Sequence, residues 1–448
     1  IPSNLKIDFT QIVETEQSKS KSHDIELPKN NAIEWITKEI DSRSFVSGNQ
    51  NYALGSTLSL ISTFMSGKYS TGDNQCPVLF NILLGEQSTG KDAAMKAPSQ
   101  ILTNNAVLRR YALYGSEDFT SEIGAFINLP WKRFQLNVID EGSGFIESMV
   151  DPKGLARGIG SKLTKLWSNG TSHWSLSNAI TRGDENGACS GPHFNVLLAI
   201  QKSKFAKANT QSLLDMGLIQ RFLYFVGNDQ NRVSVREDRN MDSAFKNVTD
   251  FFIERYSGNV IYGNAAEMPK TKKEQLALGS AVVDPIPCPF TYRANFLSRK
   301  ISLHFFSLQR DKTLPVFEQT LYSKSSELVS RLALAHAWGR QDATLLYGWK
   351  EFKIDIEDLE WAKQTVESSV KSAYALVAQS TRIGLDKSEE ALRSICPPGK
   401  AIRWSDARKK LPGDIRQQND LLRLLELSGE FTKSKVGTGF IVVNNGNH

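Results

Sequence analysis

The stretch Gly85-Glu86-Gln87-Ser88-Thr89-Gly90-Lys91-Asp92 decides how this chain is read. The run before it, Val78-Leu79-Phe80-Asn81-Ile82-Leu83-Leu84, is short, apolar and rich in β-formers, and predicts a buried strand. Ala93-Ala94-Met95-Lys96-Ala97 follows it and predicts the first turns of a helix. A strand, a glycine-bounded loop ending in Lys, and a helix start together form the setting of a phosphate-binding loop. Amides of such a loop and the positive end of the helix dipole attract an anion, and Lys91 is spaced to reach the outer phosphates of a nucleotide. Gly85, Glu86, Gln87, Ser88, Thr89, Gly90, Lys91, Asp92 and Ala93 are therefore the expected nucleotide-binding residues. Asp92 stands where Ser or Thr usually helps to hold Mg²⁺. Its carboxylate is a hard oxygen donor, able to bind Mg²⁺ directly or through water, and it also brings negative charge close to phosphate.

Nucleotide hydrolysis next requires an acidic pair at a strand end. Phe134-Gln135-Leu136-Asn137-Val138-Ile139-Asp140-Glu141 supplies one, roughly 50 residues further on. Asp140 is expected to hold Mg²⁺ through water and Glu141 to polarise the attacking water. Phosphoryl transfer needs positioning and charge neutralisation more than covalent help, so ATP and Mg²⁺ are the expected cofactors. Asn195–Ile200 and Phe222–Val226 add two more apolar β-rich runs among helical stretches, and residues 76–235 predict a mostly parallel α/β sheet.

The order of these elements resembles the AAA+ ATPases, and in particular the helicase-like ATPases of phages, plasmids and mobile islands, relatives of the hexameric minichromosome-maintenance helicases. Four stretches carry the resemblance: the phosphate loop, Asn137–Glu141, Phe194–Gln201 and Gly217-Leu218-Ile219-Gln220-Arg221-Phe222. It implies an α/β fold with an AAA+ P-loop core, an N-terminal helical region, a C-terminal helical region and a terminal winged-helix module. It implies that Gln201 orients water near the γ-phosphate and that Arg221 reaches into a neighbouring subunit's nucleotide. Arg331 lies where the family carries a second sensing arginine, although Glu327–Ala335 also fits any amphipathic helix. A finger acting in trans implies a homohexameric ring.

Several features bear on a polynucleotide partner. The segment between Glu141 and Phe194 is longer than a minimal ATPase needs. Gly154–Trp167 predicts a helix with Arg157, Lys162 and Lys165, and His173–Ile180 with Ala188–Asn195 predicts a hairpin around Thr181–Gly187. The resemblance places such a hairpin in a ring's pore, with Arg182 as the candidate contact to a single strand; Asp184 and Glu185 put acidic charge beside it, and a solvated loop is the plain alternative. At the C-terminus, Arg408, Lys409, Arg416, Lys433 and Lys435 make a basic surface on predicted helices and a terminal hairpin. That module suits either origin duplex DNA or protein docking.

Composition bounds the rest. The chain has 448 residues, 40% hydrophobic and 23% charged, with a net charge of +6, which permits a nucleic-acid partner without demonstrating one. Cys76, Cys189, Cys288 and Cys396 lack metal-type spacing, and the scattered His residues fit neither a metal site nor a triad. No apolar run reaches the roughly 18 residues of a membrane span, and the expected setting is the cytoplasm of a bacterial host. The expected organisation is a flexible arm (1–28), an N-terminal helical region (29–75), the ATPase core (76–235), a helical region (236–384) and a winged helix (385–448). The chain opens on Ile1, so an upstream domain such as a primase is expected, or else a separate primase partner. The expected function, which rests on the resemblance, is an ATP-dependent DNA helicase or translocase of a phage or mobile element. The alternatives are a replication initiator or DNA-binding switch without unwinding activity, and an AAA+ protein remodeller, which the absence of an aromatic in Thr181–Gly187 disfavours.

Overall fold

Four apolar runs hydrogen-bond into one all-parallel sheet. In the computed structural model the strands are Phe80–Leu84, Phe134–Ile139, His193–Ile200 and Phe222–Val226. Their spatial order is 134–139, 193–200, 80–84, 222–226, with Leu84 opposite both Ile200 and Val226 and Ile139 opposite Leu198. Tyr114 adds a parallel bridge to Leu136 on the outer edge. A parallel sheet is covered on both faces, which is why these strands read as unbroken apolar runs rather than alternating ones. All four are buried apart from Val226.

Residues 1–24 and 446–448 lie outside the described structure, as do the internal stretches 151–157, 169–172, 176–187, 208–215, 228–231, 234–244, 257–270, 275–283, 342–350, 412–417 and 423–430 and some shorter ones between. The expected arm therefore falls almost wholly outside it.

Two helices, Ala32–Asp41 and Gln50–Met65, precede the sheet. The first is amphipathic, burying Ala32, Ile33, Ile36, Thr37 and Ile40. The second is not: every residue from Asn51 to Met65 is buried. Its Ser and Thr letters suggest a solvent face, but three of their hydroxyls donate to the helix's own backbone one turn back, and Ser62 Oγ donates to Pro77 O and Asn195 Oδ1. Thr57 bonds Ala53 O at 2.9 Å, Ser59 bonds Gly55 O at 2.9 Å, and Thr63 bonds Ser59 O at 2.7 Å. A Cβ at Gly55 would lie 2.6 Å from Leu83 Cδ2 and 2.8 Å from Phe225 Cδ2, so only glycine lets the helix sit this close to the sheet. Asn81 on the Phe80–Leu84 strand donates to Gly55 O at 3.0 Å and to Ser59 Oγ at 2.7 Å, locking strand and helix together.

The N-terminal helices thus share a core with the sheet instead of forming a region of their own. Among the described residues, those up to 311 together with 318–373 make one compact unit, and those of 312–317 and 374–448 make the other. The division falls inside the helix Ile356–Ile395 rather than at 384/385.

The first unit also holds the helices Tyr292–Arg310 and Ser325–Gly339, and the Pro-containing strip pairs Ile286–Cys288 in parallel with Tyr69–Thr71. Asp358, fully buried, accepts from Arg340 Nε and Nη2 at 2.9 and 2.8 Å and lies 2.6 Å from His336 Nδ1. Burial pushes its carboxyl upward, but the Arg340 and His336 hydrogen bonds win and hold it below the ordinary range.

In the second unit, strands Ala401–Arg403, Gly439–Asn444 and Phe431–Val436 form an antiparallel sheet in that order, with the helix Trp404–Lys410 packed on it. Trp404, Leu421, Phe431 and Val442 belong to its core. Among the described residues no helix is long and apolar enough to cross a membrane. Cys76, Cys288 and Cys396 are buried free thiols.

Candidate phosphate-binding site

The expected loop leaves the Phe80–Leu84 strand at Gly85, whose amide donates to Ile200 O at 3.1 Å on the neighbouring strand. Ser88 and Gly90 adopt left-handed backbone, with φ of 61° and 89°. That conformation curls the chain so that the helix Lys91–Thr103 starts directly behind the loop. Gly90 provides no capping side chain, so the leading amides of the helix stay open toward the loop. Lys91 Nζ turns back and donates to Gly85 O at 2.5 Å and Glu86 O at 2.7 Å. The ammonium is half-buried at the centre of the curl.

Residues that sequence reasoning missed hold this loop from behind. Tyr52 OH lies 3.2 Å from Leu84 O and 3.1 Å from Thr89 Oγ1, and Asn49 Nδ2 donates to Thr89 O at 2.6 Å. Ser44 Oγ donates to Gly90 O at 3.2 Å, and Thr89 Oγ1 closes the loop on Glu86 O at 2.8 Å. A Cβ at either Gly85 or Gly227 would overlap the Tyr52 hydroxyl, which explains the glycine at each. No local signal marks Tyr52, Asn49 or Ser44, because their role exists only once the buried helix lies under the sheet.

Gln201 ends the central strand and is half-buried beside the loop. The Glu86 carboxylate accepts from Ser203 N at 3.0 Å and Ser203 Oγ at 3.3 Å, tying the loop to the helix Lys202–Lys207. Glu86 is thus a side-chain anchor within the expected binding stretch.

Asp140 and Glu141 leave the end of the Phe134–Ile139 strand, exposed, on the same edge of the sheet as the loop. Partial burial raises the Asp140 carboxyl, the Asp92 charge raises it further, Lys91 opposes, and Glu141 adds to the rise. Burial lowers Lys91, opposed by Glu86, Asp140 and Asp92. Lys91, Asp92 and Asp140 therefore act on one another as a single charged cluster. A cleft of about 540 Å³ opens alongside, walled by Lys96, Ser99, Tyr114, Glu117, Glu141 and Phe145.

These residues suit a nucleotide with Mg²⁺. Lys91 and the open helix amides offer positive charge, while Asp92 and Asp140 are mutually repelling carboxylates whose repulsion a divalent cation relieves. Among the described residues no three metal-ligating side chains converge. Mg²⁺ is commonly held by one or two carboxylates, with phosphates and water completing its shell.

The two arginines lie at the opposite edge. Arg221 immediately precedes the Phe222–Val226 strand, and Arg331 Nη1 donates to Val78 O at 2.7 Å, just before the Phe80–Leu84 strand. The length of a strand, about 20 Å, separates that carbonyl from the loop. Arg331 Nη2 also donates to Trp167 O at 2.7 Å, and the guanidinium lies 3.7 Å from the Trp167 ring centroid. It is 2% exposed, and burial lowers it to about 10. Its hydrogen-bond partners, Val78 O, Gln75 Oε1 and Trp167 O, all belong to its own core, so Arg331 here fastens the protein together, and the sensing role that the resemblance implies has no counterpart among these contacts. Arg221 stacks on the same Trp167 at 5.3 Å, donates to Gly217 O, and is 8% exposed.

The expected polynucleotide contacts are scattered. Short strands His173–Ser175 and Ala188–Ser190 do pair antiparallel, while Arg182 at the expected tip lies outside the described residues, as does Arg416. On the helix Ile159–Ser168, Lys165 is exposed but Lys162 turns its ammonium into the protein. Lys409 pairs with Asp406 at 3.4 Å and Arg408 is half-buried. Lys433 and Lys435 are exposed on the terminal hairpin, Lys433 lying 4.5 Å from the Phe440 ring centroid.

Fold and site together define an α/β protein whose parallel sheet ends in a glycine-bounded lysine loop and an acidic pair on one edge. In comparisons with known proteins, no family model and no curated protein matches the chain.

Proposed function

We propose that this chain is an ATP-dependent DNA helicase or translocase with an AAA+ core, serving replication of a phage or mobile genetic element as a homohexameric ring on single-stranded DNA. The observation that carries the reading is the convergence of Lys91, Gln201 and the Asp140–Glu141 pair at the C-terminal ends of three adjacent parallel strands. Ligands of open parallel sheets bind outside those ends, where strand order reverses. Here the reversal falls at the Phe80–Leu84 strand, which has later strands on both sides.

In this reading the Lys91 ammonium exchanges the Gly85 and Glu86 carbonyls for phosphate oxygens. Asp140 and Asp92 face the metal side, Glu141 orients water, and Gln201 sits between loop and acidic pair to position the γ-phosphate. Bound Mg²⁺ supplies charge neutralisation. Arg221, at the far edge, is read as serving a neighbouring protomer, for which it would exchange Gly217 O and the Trp167 ring for that protomer's nucleotide. The terminal sheet-and-helix unit is read as a winged helix for origin duplex DNA, with a primase as a partner protein.

The test mixes two inactive variants. Arg221→Ala is expected to keep nucleotide affinity and lose hydrolysis by about 10³-fold or more. Mixed with Lys91→Ala protomers, it should regain activity, because a head-to-tail ring then contains composite sites with both groups. Absence of recovery in particles of about six times 50.0 kDa would overturn the trans placement. ATP-dependent binding to forked DNA without strand displacement would instead favour an initiator or switch.

Asp92→Ser is expected to retain hydrolysis, with the acid limb of its pH–rate profile moved to lower pH. The Asp92 charge helps raise the Asp140 carboxyl, so its removal lets Asp140 ionise at lower pH. The sign extends to stability: a carboxyl raised by folding stabilises while protonated, and that contribution is lost as pH rises through its folded pKa. A large loss of activity in Asp92→Ser would show that the carboxylate does more than replace a hydroxyl.

A further inference from the structure

The helix Tyr292–Arg310 presents a face that nothing above employs. Tyr292, Phe296, Leu303 and Phe306 are 93%, 62%, 69% and 48% exposed, and they are four of the six large apolar side chains exposed among the described residues. Single exposed apolar residues are ordinary, but a contiguous set marks an interaction site. Together with Arg299 and Arg310 they fall at 292, 296, 299, 303, 306 and 310, which keeps all six within about 40° of one line on a helix of 3.6 residues per turn. Ala294, Ile301 and Phe305 anchor the opposite face in the protein. Thr291 caps the start, its Oγ1 accepting from Ala294 N at 3.3 Å.

Charge on this helix is one-sided. It contains Arg293, Arg299, Lys300 and Arg310 and no Asp or Glu. All four basic residues are exposed. Two are stationed over the aromatic rings: Lys300 Nζ is 4.7 Å from the Phe296 centroid and Arg310 Cζ is 3.9 Å from the Phe306 centroid.

We propose that this face binds single-stranded nucleic acid, with bases stacking on Tyr292, Phe296 and Phe306 and phosphates meeting Arg293, Arg299, Lys300 and Arg310. Interleaved rings and cations are the chemistry by which proteins hold a single strand without reading its sequence. A packed apolar helix is a poorer occupant, because it would bury Arg299 and Arg310 unpaired in the middle and at the end of the stripe. A polyanion with exposed bases uses both kinds of side chain at once. From Tyr292 to Phe306 the stripe runs about 21 Å, room for a few nucleotides. The assignment deepens the function proposed above by naming where its single strand lies, and it is tested without nucleotide so that the two readings fail separately.

The experiment is fluorescence anisotropy of a labelled oligo-dT with the full chain, free of ATP and Mg²⁺, over a salt series. Phe296→Ala with Phe306→Ala is expected to weaken binding at least tenfold, since each stacked base contributes several-fold or more. Arg299→Ala with Lys300→Ala is expected to weaken binding and to flatten the log–log salt dependence by about 1.4, two phosphates at 0.7 each. Both double variants should keep the wild-type melting curve, native mass and ATP affinity. Wild-type protein that does not bind oligo-dT, or an aromatic variant that binds it like wild type, would overturn the proposal. So would a variant whose native mass falls, which would assign the stripe to a contact between proteins. Binding of oligo-dT that depends on the stripe, in a chain that binds no nucleotide, would support this surface and remove the ATPase reading alone.

Discussion

Lys91→Ala is expected to keep its fold and to lose ATP hydrolysis by about 10²–10³-fold or more, the usual consequence of deleting a group aimed at transition-state charge. The two halves of the expectation have separate physical origins. Stability is spared because the Lys91 ammonium bonds only to the Gly85 and Glu86 carbonyls, while the loop is held independently by Tyr52, Asn49 and the Thr89–Glu86 bond. Activity is lost because no other cation on the loop can meet the outer phosphates. Thermal melting and steady-state hydrolysis check the pair of claims. Hydrolysis within a few-fold of wild type would show that the curl around Lys91 is an ordinary helix start. A large drop in melting temperature would show that its two carbonyl bonds hold the loop.

Arg331→Ala is expected to behave in the reverse manner, destabilising the protein by about 3–5 kcal/mol while leaving the nucleotide affinity of folded protein unchanged. The side chain is fully enclosed and ties Val78 O to Trp167 O, two carbonyls that would otherwise be buried without those donors, at roughly 1–3 kcal/mol each. Truncation also removes the ring contact with Trp167 and leaves a cavity. Arg331→Lys should recover only part of the loss, because one ammonium cannot span both carbonyls and stack as a planar guanidinium does. Urea unfolding and calorimetric titration with an ATP analogue separate the outcomes. A stable Arg331→Ala protein with weakened nucleotide binding would restore the sensing role.

The strand–loop–helix turn around Lys91 was legible because its signals are local: strand, glycines, Lys91 and helix start follow one another along about 20 residues. The four strands were legible for a related reason, since burial on both faces demands unbroken apolar runs. The roles of the polar and charged residues were not. The helix Gln50–Met65 carries Ser and Thr letters suited to a solvent face, yet backbone hydrogen bonding lets them be buried, and Gly55 brings the helix onto the sheet. Arg331 and the exposed aromatics of Tyr292–Arg310 both lie on helices whose letters are compatible with either burial or exposure.

What the amino-acid order determined unaided is therefore the parallel α/β core and the loop that would grip phosphate. Tertiary structure alone decided which arginine is spent inside the protein, which tyrosine braces the loop and which aromatic rings face water. The reason is physical. A backbone turn is specified by its neighbours in the chain, whereas a side chain's partners are specified by elements that arrive from hundreds of residues away, as Val78 does for Arg331.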